Sequence, residues 1–167
     1  MELRIKGTED TPHIHFRPGH IRIEGRSMPE NVLIFYKPVV EWVENYIKNP
    51  EPFTQIDVHL IYTNSCSIKY INDILRLFER GCDEDHKMEV NWIYEAGDES
   101  IHEIGTDMSS VIDMPFRYTE KEAPYQERKR LKVKNLLTGK IGEISMRYWE
   151  TIKRNGHAKD FEVLEQV

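Results

Sequence analysis

Cys66 and Cys82 are the only thiols in a chain of 167 residues, too few for a disulfide framework and without the paired spacing of a zinc site. No apolar run approaches the ~18 residues needed to cross a bilayer, and no charged-then-apolar leader is present. Neither a membrane partner nor secretion is expected, and the cytoplasm is the expected compartment. A glycine-rich phosphate cradle and the G-x-S-x-G nucleophile elbow are both missing, so the common sequence marks of a nucleotide-binding enzyme or an α/β-hydrolase are absent. Positive charge is in deficit, with 23 Lys and Arg against 29 Asp and Glu and a formal charge of -6. That balance speaks against a general nucleic-acid binder.

What is present suits one domain, or one domain with an appendage, with enough apolar residues (39%) for a proper core. The informative stretch runs from Ile56 to Phe78. Ile56, Val58, Leu60 and Tyr62 alternate with Asp57, His59 and Ile61, the period of a strand, while Ile68, Ile71, Ile74, Leu75 and Phe78 recur at helical spacing. Between them stands Thr63-Asn64-Ser65-Cys66-Ser67. Asn64 suits an N-cap, because its side-chain oxygen can accept from a free amide of the first turn. Ser65 then occupies the first helical position, beside the positive end of the helix dipole, where negative charge is favoured by roughly 0.3 to 1 kcal/mol. A hydroxyl there is a candidate phosphorylation site. Ser, Thr and Asn are also common at helix starts for capping alone, and local pattern by itself favours that plainer role.

The flanking elements place this junction. His13–Arg17 and His20–Gly25 alternate around Pro18-Gly19 and predict a β-hairpin, preceded by a segment over 1–10 that is either a short strand or loose. His13, His15 and His20 lie near one another, but a zinc site needs more converging ligands, and no metal or cofactor is expected. Ser27-Met28-Pro29-Glu30 has the pattern of a capping box. Pro38 then predicts an irregular turn over Asn31–Phe35 and a regular helix over Lys37–Lys48 that buries Val39, Val40, Val43, Tyr46 and Ile47. Met88, Val90, Trp92 and Tyr94 predict another strand. The acidic loop 95–99 opens a third helix with Ile101, Ile104, Met108 and Val111 facing inward and Asp98, Glu99, Glu103 and Asp107 on a solvated face. Met114–Tyr118 reads as a last short strand.

An opening hairpin followed by alternating helices and strands implies a mixed α/β sheet, antiparallel at first and then parallel through right-handed crossovers. Functional positions in such sheets lie beyond the carboxyl ends of strands, where both the Asn64-Ser65 junction and the loop after Tyr94 fall. Cys66 at a helix start has a setting that lowers a thiol pKa, but nothing in the sequence places His59 beside it, and no catalytic thiol is expected. Past Pro124 the chain turns basic, with Arg128, Lys129, Arg130, Lys132 and Lys134. A hairpin bend over 136–141, an amphipathic helix over 142–155 and a further helical turn or two over 157–166 are predicted. The expected division is a domain over 1–123 and an extension over 124–167, which either docks on the domain or presents Tyr148 and Trp149 to a partner.

Several strings together carry a resemblance: Thr11-Pro12, Phe16-Arg17-Pro18-Gly19, Ile23-Glu24-Gly25-Arg26-Ser27-Met28-Pro29-Glu30-Asn31, Phe35-Tyr36-Lys37-Pro38-Val39 with Trp42, Tyr62-Thr63-Asn64-Ser65-Cys66-Ser67-Ile68-Lys69, Trp92-Ile93-Tyr94 and Pro115-Phe116. Over roughly Thr8 to Glu120 the chain resembles the SiaC family of bacterial regulatory phosphoproteins. The resemblance implies a fold like that of the STAS-type anti-sigma factor antagonists and a non-enzymatic role in partner switching. In such systems a serine/threonine kinase of the histidine-kinase-like ATPase fold phosphorylates one hydroxyl and a metal-dependent serine/threonine phosphatase removes the phosphate. Only the unmodified form binds its target, in the best-known system a GGDEF diguanylate cyclase whose cyclic di-GMP controls biofilm formation. The acceptor follows the motif asparagine, which carries over to Ser65; the best-known member has threonine there. Cys66 stands where a serine is usual, leaving Ser67 as the fallback acceptor. The partner surface expected from this carry-over comprises Asn64, Ser65, Ser67 and Lys69. Two other readings stand beside it: a non-phosphorylated adaptor or scaffold, and a small-molecule or nucleotide-binding enzyme using the acidic loop with His13 and His15.

Overall fold

The computed structural model describes residues 2–122 and 130–166. The chain divides into two compact units, Met1–Lys121 and Glu122–Val167. In the first, strands β1 (Leu3–Ile5), β2 (His13–Arg17) and β3 (His20–Ser27) are followed by α1 (Val32–Tyr46), β4 (Phe53–Thr63), α2 (Ser65–Glu79), β5 (Lys87–Glu95), α3 (Glu99–Ser109) and β6 (Phe116–Lys121). The six strands form one sheet in sequential order, β1-β2-β3-β4-β5-β6. The first two pairings are antiparallel and the last three parallel. This is the mixed α/β architecture read from the element order. Each parallel step moves in the same direction, so right-handed crossovers stack α1, α2 and α3 on one face of the sheet.

The strand registers build the core from that topology. Ile14, Ile23, Val58, Trp92 and Tyr118 stand opposite one another in a row across five strands, and Phe16, Ile21, Ile56, Val90 and Phe116 form the next row. From Ile14 through Trp92 and from Phe16 through Val90 these side chains are buried, packed under Val39, Val43, Ile71, Ile74, Leu75 and Phe78 of α1 and α2. The alternate positions carry a polar ladder. His20 Nε2 pairs with Asp57 Oδ2 at 2.9 Å, and Gln55 and Asn91 donate to Asp57 Oδ1 at 2.8 and 3.0 Å. Thr119 donates to Asn91 Oδ1 at 2.6 Å. Burial pushes the Asp57 carboxyl up, but the bonds from His20, Gln55 and Asn91 outweigh it and hold the group below its ordinary value.

Several local expectations are corrected. The segment 32–46 is one continuous helix despite Pro38. Pro38 lies on its exposed side, where the carbonyl left without a donor can meet water, while Tyr36, Val39, Trp42, Val43 and Tyr46 are buried on the other. Packing of that stripe outweighs the proline, with Trp42 stacked on Tyr46 at 4.9 Å and edge-on to Phe16 at 5.3 Å. The capping-box pattern does not cap. Asn31 is the N-cap, its side chain accepting from the Ile34 amide at 3.0 Å, while Ser27 ends β3. Past α3, Ile112 is buried and Val111, expected inside, is exposed.

The second unit consists of β7 (Arg130–Asn135), β8 (Ile141–Ser145), α4 (Met146–Arg154), a 3-10 turn at Ala158–Asp160 and β9 (Phe161–Gln166). The antiparallel sheet runs β8-β7-β9. The hairpin bend over 136–141 is present and the helix is confined to Met146–Arg154, while of the helical turns read over 157–166 the 3-10 turn Ala158–Asp160 forms and the remainder is strand. Phe161–Gln166 pairs along β7, with Val163 opposite Val133, and long-range pairing overrides the helical reading. Tyr148 is exposed, and Trp149 is half-buried, edge-on to Phe161. Arg128 and Lys129 of the basic run lie outside the described residues.

Candidate functional site

The site begins where β4 leaves the interior of the sheet. Asn64 is extended (φ -105, ψ 166), its side chain accepts from the Ser67 amide at 2.8 Å, and its carbonyl accepts from Ile68 at 2.9 Å. Both bonds satisfy helix-start groups, so Asn64 is the cap its residue type suggests. The Asn64 amide donates to the Ser27 carbonyl at 3.2 Å, tying the start of α2 to the end of β3. Nearby, the Arg26 guanidinium lies 4.8 Å from the centroid of the Tyr62 ring.

Helical geometry then sorts the hydroxyl and amine groups of the first turn. Ser65 and Cys66 are exposed, Ser67 is fully buried, and Lys69 is exposed one turn beyond Ser65. The fallback acceptor is therefore corrected: the Ser67 hydroxyl points inward, with no hydrogen-bond partner among the described residues, and is offered neither to a kinase nor to a protein surface. Asn64 is half-buried and occupied by capping.

Ser65 and Lys69 line one wall of a groove of about 380 Å³ together with Ile68 and Asn72. The other wall comes from α3 and the residues after it, Ile104, Asp107, Met108 and Val111. The floor is aliphatic and the rim carries one hydroxyl, one amine, one amide and one carboxylate. Among the described residues the side chains of Ser65, Lys69, Asn72 and Asp107 make no hydrogen bond or ion pair, which leaves all four available to a ligand or partner. Sequence reading missed this second wall, having assigned Ile104, Met108 and Val111 simply to the interior. It also missed Leu33 and Ile34, which are 60% and 69% exposed at the start of α1. An aliphatic pair in the first turn of a capped helix was the available signal.

The remaining candidates are dispersed. His20 is engaged with Asp57, and His15 pairs with Glu2 at 2.6 Å. The His13 and His15 rings are 6.4 Å apart, and among the described residues no group of three or more His, Cys, Asp or Glu side chains is arranged to hold a metal. Asp98 caps α3, accepting from the Ile101 amide at 3.1 Å. His59 sits beside Glu24 at 3.3 Å on the polar ladder, away from any pairing with Cys66. Burial pushes its imidazole down in pKa, more than the hydrogen bond with Glu24 raises it. No helix among the described residues is long and apolar enough to cross a membrane.

Comparison with known proteins places this geometry. The model of the SiaC family regulatory phosphoproteins matches residues 5–121. An uncharacterized protein of Pseudomonas aeruginosa is 30% identical over 117 residues, 69% of this chain and 93% of that protein. The solved structure of SiaC of Pseudomonas aeruginosa superimposes with a TM-score of 0.65 at 28% identity, covering 72% of this chain and 99% of that one. A second solved structure holds the diguanylate cyclase SiaD in complex with its activator SiaC from the same organism. It matches with a TM-score of 0.65 at 28% identity over 71% of this chain and 99% of that one. With the family match spanning well over half of its length, the chain belongs to the SiaC family of regulatory phosphoproteins.

Proposed function

We propose that this protein is a non-enzymatic regulator that binds a GGDEF diguanylate cyclase when unphosphorylated and releases it when Ser65 carries a phosphate. The observation that carries the reading is the placement of Ser65: an exposed hydroxyl without a partner among the described residues, at the first position of a capped helix and on the rim of an open groove. The complex of the Pseudomonas aeruginosa relative with its cyclase supports an effector of that class. The acceptor's phosphate comes from a serine/threonine kinase of the histidine-kinase-like ATPase fold and is removed by a metal-dependent serine/threonine phosphatase. Both reactions take place on those partners.

The physical switch is charge. A phosphoserine brings about -1.5 to -2 charges at neutral pH. At the start of α2 the fold tolerates that charge, because the helix dipole and first-turn amides favour an anion. In an interface the same dianion must lose its hydration, which disfavours binding by several kcal/mol unless the partner supplies cations.

Incubation with the cognate kinase and ATP should add one phosphate to the intact mass, and Ser65→Ala should abolish it. Ser65→Asp should retain the fold by circular dichroism and weaken cyclase binding by roughly 100-fold, since an unpaired buried carboxylate costs about 3 kcal/mol. Undiminished binding by the Ser65→Asp protein, or a phosphate that persists in Ser65→Ala, overturns the reading. An intact mass with no phosphate at all favours a plain adaptor.

A further inference from the structure

The rim of the α2–α3 groove carries a second group one helical turn beyond Ser65. Lys69 lies four residues beyond Ser65, and residues at that spacing stand on one helix face with their Cβ atoms about 5–6 Å apart. Side chains in a helix lean toward its N-terminus, so the lysine stem passes over the turn that begins at Ser65. Both residues line the same groove, and among the described residues Lys69 is the one cation on its walls. Its ammonium makes no ion pair among the described residues, although Asp107 lines the same groove. The amine is therefore uncommitted beside the exposed hydroxyl that follows the cap.

We propose that Lys69 is the internal counter-ion of phosphorylated Ser65, holding the phosphate across the upper end of the groove. This rests on Ser65 being the acceptor. Phosphorylation then changes two groups at once: it adds a dianion and takes the rim's free cation out of use. Asp107 acts in the same direction, since a carboxylate on the facing wall disfavours a phosphate turned toward α3 and leaves the α2 side as the favourable place for it. The first-turn amides of α2 add to the attraction, with the Ser67 amide already engaged by Asn64. Lys69 is a positioning residue, since it acts on the phosphate and takes no part in its transfer.

The test uses the full chain with phosphoserine inserted at position 65 during translation, so that no kinase is required. The phosphate's second ionisation is followed by phosphorus NMR against pH. A nearby ammonium stabilises the dianion and lowers that pKa, so Lys69→Met should raise it by about 0.3 of a pH unit at low salt. The difference should shrink at high salt, and Lys69→Arg should keep the lower value. Lys48→Met, beyond the opposite end of α1, serves as the control and should leave the value unchanged. A purely structural role for Lys69 does not move the titration of a phosphate. Equal values in the parent and Lys69→Met proteins, within about 0.1 of a pH unit, overturn the proposal. Failure of the kinase to modify Ser65 is read separately by intact mass, so that result strikes the acceptor assignment and not the Lys69 pairing.

Discussion

The Tyr36 hydroxyl lies 2.7 Å from Oγ of Ser27, and both residues are completely buried. This bond joins the last residue of β3 to the second turn of α1. Burial pushes the phenol pKa up to about 12, with the Ser27 bond working against it. Tyr36 also stacks on Tyr70 of α2 at 5.7 Å, so one side chain of α1 ties the end of β3 to α2, the helix that carries Ser65.

Removing one partner of that pair should be expensive. Tyr36→Phe leaves the Ser27 hydroxyl buried and unpaired and should cost about 1–3 kcal/mol in urea unfolding. The double variant Ser27→Ala with Tyr36→Phe should cost less than the sum of the two single changes. Strict additivity shows that the two hydroxyls are not coupled.

Gly105 in α3 illustrates a helix position where alanine should lose. In an open helix, glycine to alanine gains up to about 1 kcal/mol. Here a Cβ would stand 2.5 Å from the Trp92 indole, whose Nε1 donates to the Ile101 carbonyl at 2.8 Å. Gly105→Ala should therefore destabilise by about 1–3 kcal/mol and change the Trp92 fluorescence. A gain in melting temperature would show that the indole can move aside without loss.

Ser67 and Asn64 should behave oppositely although both are polar residues at one helix start. Ser67→Ala removes a buried hydroxyl that has no partner among the described residues, so stability should be unchanged or higher by up to about 1 kcal/mol. Asn64→Ala removes the cap and should cost about 1 kcal/mol, while Asn64→Ser should restore much of it. Chemical denaturation of the three variants measures this, and equal losses in Ser67→Ala and Asn64→Ala contradict the assignment of cap and orphan.

Acid should weaken the first unit in two windows. The folded His59 imidazole titrates below its ordinary 6.5, so the unfolded chain takes up the proton more readily. Its contribution is fully present above that value and is lost as pH falls through the folded pKa. Asp57 titrates below its ordinary 3.8, and its contribution disappears only at lower pH, as the folded carboxyl is protonated. Glu24, Arg22 and Lys121 also act on His59, so each must be kept intact in the comparison. His59→Gln should flatten stability against pH just below 6.5, and Asp57→Asn should flatten it below 3.8. Parallel pH profiles for parent and variants would refute both assignments.

Much of the fold was legible because it rests on local periods. Alternation along Ile56–Leu60 and helical spacing along Ile71–Phe78 correctly separated β4 from α2, and Asn64 was identifiable as the cap from residue type alone. Ser67 was read as a fallback acceptor and a surface residue, and only the packed structure showed it facing inward, one turn before Ile71 on the buried stripe. By itself, then, the sequence determined the strand and helix order of the first unit, the capped junction and the place of Ser65 at the first helical position.

Tertiary structure decided the rest. Pro38 remains inside α1 because the aromatic stripe around Trp42 packs against the sheet, an energy that no local pattern reports. Phe161–Gln166 is a strand because β7 is there to pair with it. The α2–α3 groove depends on how far two helices stand apart when both pack on the same sheet, which the period of neither helix reports. Periodicity tells which side of one helix turns inward. Only the packed structure could bring Ser65 and Lys69 onto the rim of a groove whose other wall carries Asp107.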